Sequence, residues 1–277
     1  PNYVCGDCYF CQREEYNLCE QADRGVSSNG GLAEYAAVDG EFAYRLPDEV
    51  GYLEGVLVEP LACCVHALQS SPPRRQRLAV IVGAGTMGLL VLEAMRGFQL
   101  AERIVVSEPV ARRRRLAMEL GADHTVDPHA GSLDQAVRQV NPHGADIVVE
   151  CSGAPHALEE ALRVTRRGGE ILLVGRPAEE AAFGLAPLPF AKSEITLRGS
   201  SRFVPEDMRT AMAWISGGTI TAARYTEDLF PLSRVQDAFE HALAGRGIKT
   251  VVDCTATPAM EVALSEVQAA AAGPGRD

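Results

Sequence analysis

No stretch of this 277-residue chain approaches the ~20 consecutive apolar residues that a membrane-crossing helix needs. Positive charge is also scarce: 26 Lys and Arg stand against 37 Asp and Glu, for a net charge of -11. A polyanion would meet repulsion over most of such a surface, so neither nucleic acid nor an anionic membrane is expected as the main partner. A small molecule is the better expectation. The first residues lack the basic segment and apolar core of a secretory leader, and the chain has no internal repeat. Methionine is absent until Met87, and the chain runs from Pro1 almost directly into a cysteine loop. This pattern predicts a further segment upstream of Pro1.

What is present suits a soluble globular protein of two domains, or of one domain with an appendage: 47% of residues are hydrophobic and 23% charged. Four of the eight cysteines open the chain as Cys5, Cys8, Cys11 and Cys19. That spacing lets one tight loop wrap a tetrahedral zinc with sulfurs at about 2.3 Å. Four protein sulfurs leave no position for water or substrate, so the metal would stabilise folding and do no chemistry. Local disulfides or unliganded thiols are the alternative. Cys63, Cys64, Cys151 and Cys254 lie in apolar surroundings and read as buried thiols, which fits a reducing cytoplasm.

From Leu78 onward, short apolar runs alternate with helical periodicity, as in a parallel sheet covered on both faces. Strands are expected at Leu78 to Val82, Ile104 to Val106, His124 to Val126, Ile147 to Val149, Ile171 to Val174 and Ile195 to Gly199. Helices fall between them, and Arg166-Arg167-Gly168-Gly169 reads as a turn. This is the doubly wound α/β architecture of a Rossmann domain. The expected division is a first lobe over 1–62, the α/β domain over 63–218, a return to the first lobe over 219–254, and a loosely ordered Ala-rich tail over 255–277.

Gly83-Ala84-Gly85-Thr86-Met87-Gly88 follows a strand and opens a helix, the context that turns a weak glycine pattern into a strong dinucleotide signal. Gly83 permits the turn, Gly85 admits a pyrophosphate, and Gly88 lets the helix pack on its strand; Thr86 and Met87 supply the first helical N–H groups. Glu108 ends the second strand twenty residues beyond Gly88, where a carboxylate accepts from ribose hydroxyls and favours NAD(H). Arg112 to Arg115, Arg113 among them, offer charge for a 2′-phosphate, so NADP stays open; a solvated helix face is the plainer reading. Cys151, Gly153 and Gly175 sit at the carboxyl ends of later strands, where open sheets bind ligands. Cys151 has no neighbouring base and reads as packing. His66 reads as a hydrogen-bonded core histidine.

Gly30-Gly31-Leu32-Ala33-Glu34-Tyr35, Val58-Glu59-Pro60-Leu61-Ala62 and Gly121-Ala122-Asp123, added to the cysteine quartet and the glycine turn, resemble the zinc-containing medium-chain alcohol dehydrogenases, most of all the sorbitol, butanediol and threonine dehydrogenase branch. The resemblance implies a partial GroES-like, β-rich catalytic domain beside the Rossmann domain. It implies a catalytic zinc between them, and hydride transfer between a secondary alcohol or its ketone, a polyol or diol by preference, and NAD(H). It also implies that Glu59 lies at that metal, as ligand or as holder of its water, although a helix-capping Glu is the plainer reading. Gly199-Ser200-Ser201-Arg202-Phe203 is similar to the segment whose Arg pairs with that Glu, with Ser200 beside the cofactor. The Cys and His-Glu ligands usual in the family are not in this sequence, so the chain alone is expected to be inactive. Pairing across Ile195 to Gly199 would give a homodimer or homotetramer. Threonine- or sugar-type dehydrogenases, a zinc-free NADPH quinone or enoyl reductase, and a non-catalytic dinucleotide-binding remnant are the rival readings.

Overall fold

The computed structural model describes residues 3–22, 30–71, 76–178, 180–182, 184, 186–226 and 228–255. Beyond Thr255 the expected tail lies outside them. A single helical turn, α1 (Tyr52–Gly55), leads into α2 (Val58–Gln69). There follow β1 (Gln76–Val82), α3 (Thr86–Gly97), β2 (Ala101–Ser107), α4 (Ala111–Glu119), β3 (His124–Val126), α5 (Leu133–Val140), β4 (Ala145–Glu150), α6 (Ala157–Val164) and β5 (Thr165–Leu173). The chain continues through α7 (Pro187–Ser193), β6 (Thr196–Gly199), α8 (Pro205–Ser216), β7 (Asp228–Pro231), α9 (Val235–Leu243) and β8 (Thr250–Asp253).

The first six strands form one parallel sheet in the order β3-β2-β1-β4-β5-β6. The chain runs outward from β1 to β3, then returns to lay β4 on the other side of β1. That reversal opens a crevice at the carboxyl ends of β1 and β4. Successive side chains of a strand point to opposite faces, and β1 divides its residues accordingly. Ala79 and Ile81 join the layer under α2, α3 and α8, while Leu78, Val80 and Val82 join the layer under α5 and α6. Leu61, Ile81, Leu89, Leu90 and Leu92 are fully buried, each contributing about 1.5–3 kcal/mol relative to exposure.

Two expectations change. The Arg166–Gly169 turn lies inside β5, because Ala145 pairs with Thr165 while Ile147, two residues on, pairs with Glu170. The intervening residues bulge out of the ladder, and Gly168 takes φ 65°. The expected boundary at 62/63 falls within α2, a continuous helix whose Leu61, Cys64, Val65 and Leu68 all enter the core of the α/β domain. Among the described residues, those of 3–51 form three 3-10 turns and no strand. Cysteine side chains, not ladders, gather residues 5–19 into one loop. The return segment pairs β7 with β8 in a separate two-stranded parallel sheet, against which α9 packs.

Candidate dinucleotide site and cysteine knot

The turn after β1 is shaped by steric necessity. Gly83 adopts φ 93°, and a Cβ there would lie 2.9 Å from that of Ser152 in the loop after β4. A Cβ on Gly88 would strike the Gly83 carbonyl, so α3 can start this close to its strand only with glycine. Gly85 differs: a Cβ there would meet nothing within 4 Å. Its open face is the approach a diphosphate needs, and no side chain caps the helix that begins behind it. Free N–H groups and the helix dipole therefore face the crevice. The Thr86 hydroxyl, expected at the cofactor, donates to the Ile248 carbonyl at 2.6 Å and fastens the return segment here. Met87 is half-buried, and its carbonyl faces the Cys64 thiol at 3.6 Å.

Glu108 stands beside this turn as expected, yet its carboxylate is already engaged. Oε2 accepts from Ala84 N–H at 2.7 Å and Oε1 from Val110 N–H at 2.9 Å. Arg113 turns to the return segment, donating to the Gly245 and Gly247 carbonyls at 2.9 and 3.1 Å. The segment it reaches is the one that Thr86 fastens to the glycine turn. Glu150, which the sequence reading missed, organises the neighbouring loop. Its buried Oε1 accepts from Ser152 N–H, Ser152 Oγ and Gly153 N–H at 2.6, 2.5 and 2.9 Å. Gly175 fits against this carboxylate, and Gly153 packs on the Arg176 carbonyl with φ 64°. Cys151 follows Glu150, and burial together with that carboxylate pushes its thiol well above the usual range. Ser200 N–H donates to the Leu173 carbonyl at 3.0 Å, which sets the loop after β6 level with the loop after β5.

The four expected sulfurs converge. Cys5, Cys8, Cys11 and Cys19 present Sγ atoms all within 4.8 Å of one another, and Cys5 and Cys11 stand 3.8 Å apart. A tetrahedral site with sulfur at 2.3 Å requires sulfurs about 3.8 Å apart. Cys5 and Gln21 N–H groups both donate to Cys19 Sγ at 3.4 Å, as suits a thiolate. Without metal the thiols share their protons unequally: Cys8 is drawn down to about 6, chiefly by the Glu20 and Cys11 backbone, while Cys5 is pushed up to about 12, chiefly by Asp7, and burial raises Cys11. These residues fit a closed zinc site. All eight cysteines are free of disulfides.

Glu59 is exposed at the start of α2 and accepts from Cys63 Sγ at 3.7 Å. It borders a cavity of 930 Å³ with Tyr16, Val58, Phe203, Pro205 and Met208. With φ 59° the backbone turns Arg202 toward the cysteine lobe, where Nη1 donates to the Asn17 carbonyl at 3.2 Å. Among the described residues, the cysteine quartet is the only group of three or more His, Cys, Asp or Glu side chains drawn together closely enough to hold a metal. His66 is the hydrogen-bonded histidine expected. Its Nδ1 lies 2.9 Å from Oδ2 of Asp207, whose side chain is 2% exposed, and its Nε2 lies 3.1 Å from Asn17 Nδ2. Neither Asn17 nor Asp207 was found from sequence. The signal for Asp207 was its third place in a helix opened by Pro205, where an acidic side chain caps the Val204 N–H, here at 2.8 Å.

The fold and the two sites together define an α/β oxidoreductase with a dinucleotide crevice and a zinc knot. Residues 85–217 match the zinc-binding dehydrogenase family and residues 1–48 the alcohol dehydrogenase GroES-like domain. The chain is 31% identical to D-arabitol-phosphate dehydrogenase of Enterococcus avium over 91% of its length and 72% of that protein. It is 28% identical to D-xylulose reductase A of Aspergillus oryzae, with the same shares covered. A zinc-binding dehydrogenase from Sinorhizobium meliloti 1021, solved with NADP, superposes with a TM-score of 0.79 at 31% identity, covering 86% of this chain and 70% of that one. The chain belongs to the zinc-binding alcohol dehydrogenase family.

Proposed function

We propose that this protein serves hydride transfer between a secondary alcohol, a polyol or vicinal diol by preference, and NAD(H). The observation that carries the reading is the open, uncapped turn at Gly85, set where the strand order reverses. The bound nicotinamide supplies the hydride chemistry. The chain's own residues supply the setting. N–H groups at the start of α3 hold the diphosphate, and Gly83, Gly88, Gly153 and Gly175 keep the crevice walls close. Glu108 orders the adenosine end, while the loops carrying Cys151 and Ser200 border the nicotinamide end. The polyol preference rests on the names of the two similar enzymes. Glu59 and Arg202 remain the proposed substrate-side groups, each acting from its own position.

NADP is the second reading. It is favoured by the engagement of both Glu108 oxygens with backbone N–H groups and by the NADP in the Sinorhizobium relative. Parallel calorimetric titrations with NADH and NADPH decide between them, and absence of heat from both would overturn the dinucleotide reading. The edge position of β6 supports pairing of two copies into a homodimer or homotetramer, and the free thiols support a cytoplasmic setting. The division into a cysteine lobe, an α/β domain and a return segment is proposed with the first boundary moved ahead of α2.

A further inference from the structure

We infer that the cysteine knot is a strut for the cofactor crevice, acting through Asn17 as a positioning residue. This rests on the dinucleotide reading above. Asn17 lies between the third and fourth cysteines, on the 3-10 turn Tyr16–Leu18, and is 8% exposed. Its side-chain amide donates to the Ser201 carbonyl at 3.1 Å, and its own carbonyl accepts from Arg202 at 3.2 Å. One residue of the knot thus grips two consecutive residues of the loop after β6. The grip is itself anchored. His66 on α2 accepts from Asn17 and donates to Asp207 on α8, and Asp207 accepts from Val204 N–H, closing a ring around the loop.

Amide N–H₂ groups only donate, so Asn17 Nδ2 requires His66 Nε2 to be an acceptor; the ring proton then sits on Nδ1, facing the buried carboxylate. Asn17 Nδ2, both His66 ring nitrogens and Asp207 Oδ2 each have a partner of the right kind, which favours one geometry for the network. The loop it holds begins at Ser200, three strand spacings from β1 across β4 and β5, or about 14 Å from the diphosphate turn. It lies on the β4 and β5 side of the point where the strand order reverses, the side along which the nicotinamide half would run. The knot's own apolar cluster is small, namely Cys11, Cys19 and Ala22 with partly buried neighbours. Without metal it has little to keep Asn17 in place. Metal in the knot and dinucleotide in the crevice should therefore be coupled although they share no atom.

The test compares the zinc-loaded and chelator-stripped protein, unmodified and as Asn17→Ala, by NADH and NADPH titration and by hydrogen exchange at residues 200–204. Stripping should weaken dinucleotide binding to the unmodified protein about tenfold, the equivalent of one net hydrogen bond, and should speed exchange in the loop. Loaded Asn17→Ala should retain one zinc, bind about tenfold more weakly, and change less than twofold on stripping. Ile215→Val, which trims the core elsewhere, should keep the full tenfold response to stripping. Binding and loop exchange indifferent to both zinc and Asn17 would overturn the strut while leaving the crevice intact. Failure of the loaded, unmodified protein to bind either nucleotide would overturn the dinucleotide reading, and the exchange data would then judge the strut by themselves.

Discussion

The sheet domain packs an apolar layer on each face of six strands, whereas the cysteine lobe has a cluster built on Cys11, Cys19 and Ala22. One region gains its stability by removing leucine, isoleucine and valine from water; the other depends on sulfurs that attract one another only through a metal. The two also carry their polar groups differently. In the sheet domain, buried carboxylates such as Glu108 and Glu150 hold the crevice loops by accepting backbone N–H groups. In the lobe, Asn17 reaches outward to a loop of the other region. The contrast teaches that the site is shaped from two sources, a self-sufficient scaffold and an accessory that must be metallated to exert its hold.

Metal removal should break this contrast most forcefully. Structural zinc sites carry apparent binding free energies of about 10–16 kcal/mol, so Cys11→Ser or chelation should open residues 3–22 to proteolysis. Far-UV dichroism of the α/β domain should persist. Metal analysis of the untreated chain should give one zinc, and simultaneous collapse of both regions would show a single cooperative unit instead. The next largest effect belongs to the crevice. Gly88→Val drives a side chain into the Gly83 carbonyl and should cost about 3–4 kcal/mol in urea unfolding with loss of dinucleotide binding. Gly85→Val occupies open space, so binding should be lost while stability moves by about 0.5 kcal/mol.

A buried pair within the sheet domain gives a pH-dependent test. Tyr225, fully buried, donates to Glu93 Oε2. Burial raises the Glu93 carboxyl above its ordinary 4.5, with the Tyr225 hydroxyl and the Thr221 N–H pulling it back. Since the folded value lies above the unfolded one, the native state holds this proton more tightly. The associated stability is complete below the unfolded value and is lost as pH rises through the folded value. Tyr225→Phe removes a hydrogen bond to the ionised form, so it should cost about 1–3 kcal/mol at pH 8 and less at pH 4. Glu93→Gln should flatten the profile, and equal losses for Tyr225→Phe at both pH values would refute the assignment.

Legibility in the sequence followed the same divide. Central parallel strands are covered on both faces, so β1, β2 and β4 appear as unbroken apolar runs, and the glycine turn between β1 and α3 has a spacing fixed by sterics. Polar groups with distant partners left no such mark: Asn17 meets His66 and Ser201 at separations of 49 and 184 residues. Glu93 did leave one, as a single acid among Leu89, Leu90, Val91, Leu92, Ala94 and Met95. The bulge in β5 was hidden because Gly168-Gly169 reads equally well as a turn. Arg202 directs Nη1 to the Asn17 carbonyl from a left-handed backbone conformation, which nothing local announces.

The smallest expected effect sharpens the contrast through thiol chemistry. Only a thiolate attacks an alkylating reagent at an appreciable rate. Stripping opens the loop that carries Cys8 and leaves its sulfur without the metal that covered it, so in stripped protein it should be modified first. Cys151 is held protonated by burial and by Glu150, and iodoacetamide should leave it intact in folded protein. Cys151→Ala should then cost about 1 kcal/mol and leave dinucleotide binding unchanged, since the site would lose only packing. Peptide mapping after brief alkylation gives the order directly. Modification of Cys151 ahead of Cys8 would mean that the crevice wall, not the metal-free knot, is the more open region, and the division of labour between scaffold and accessory would have to be reversed.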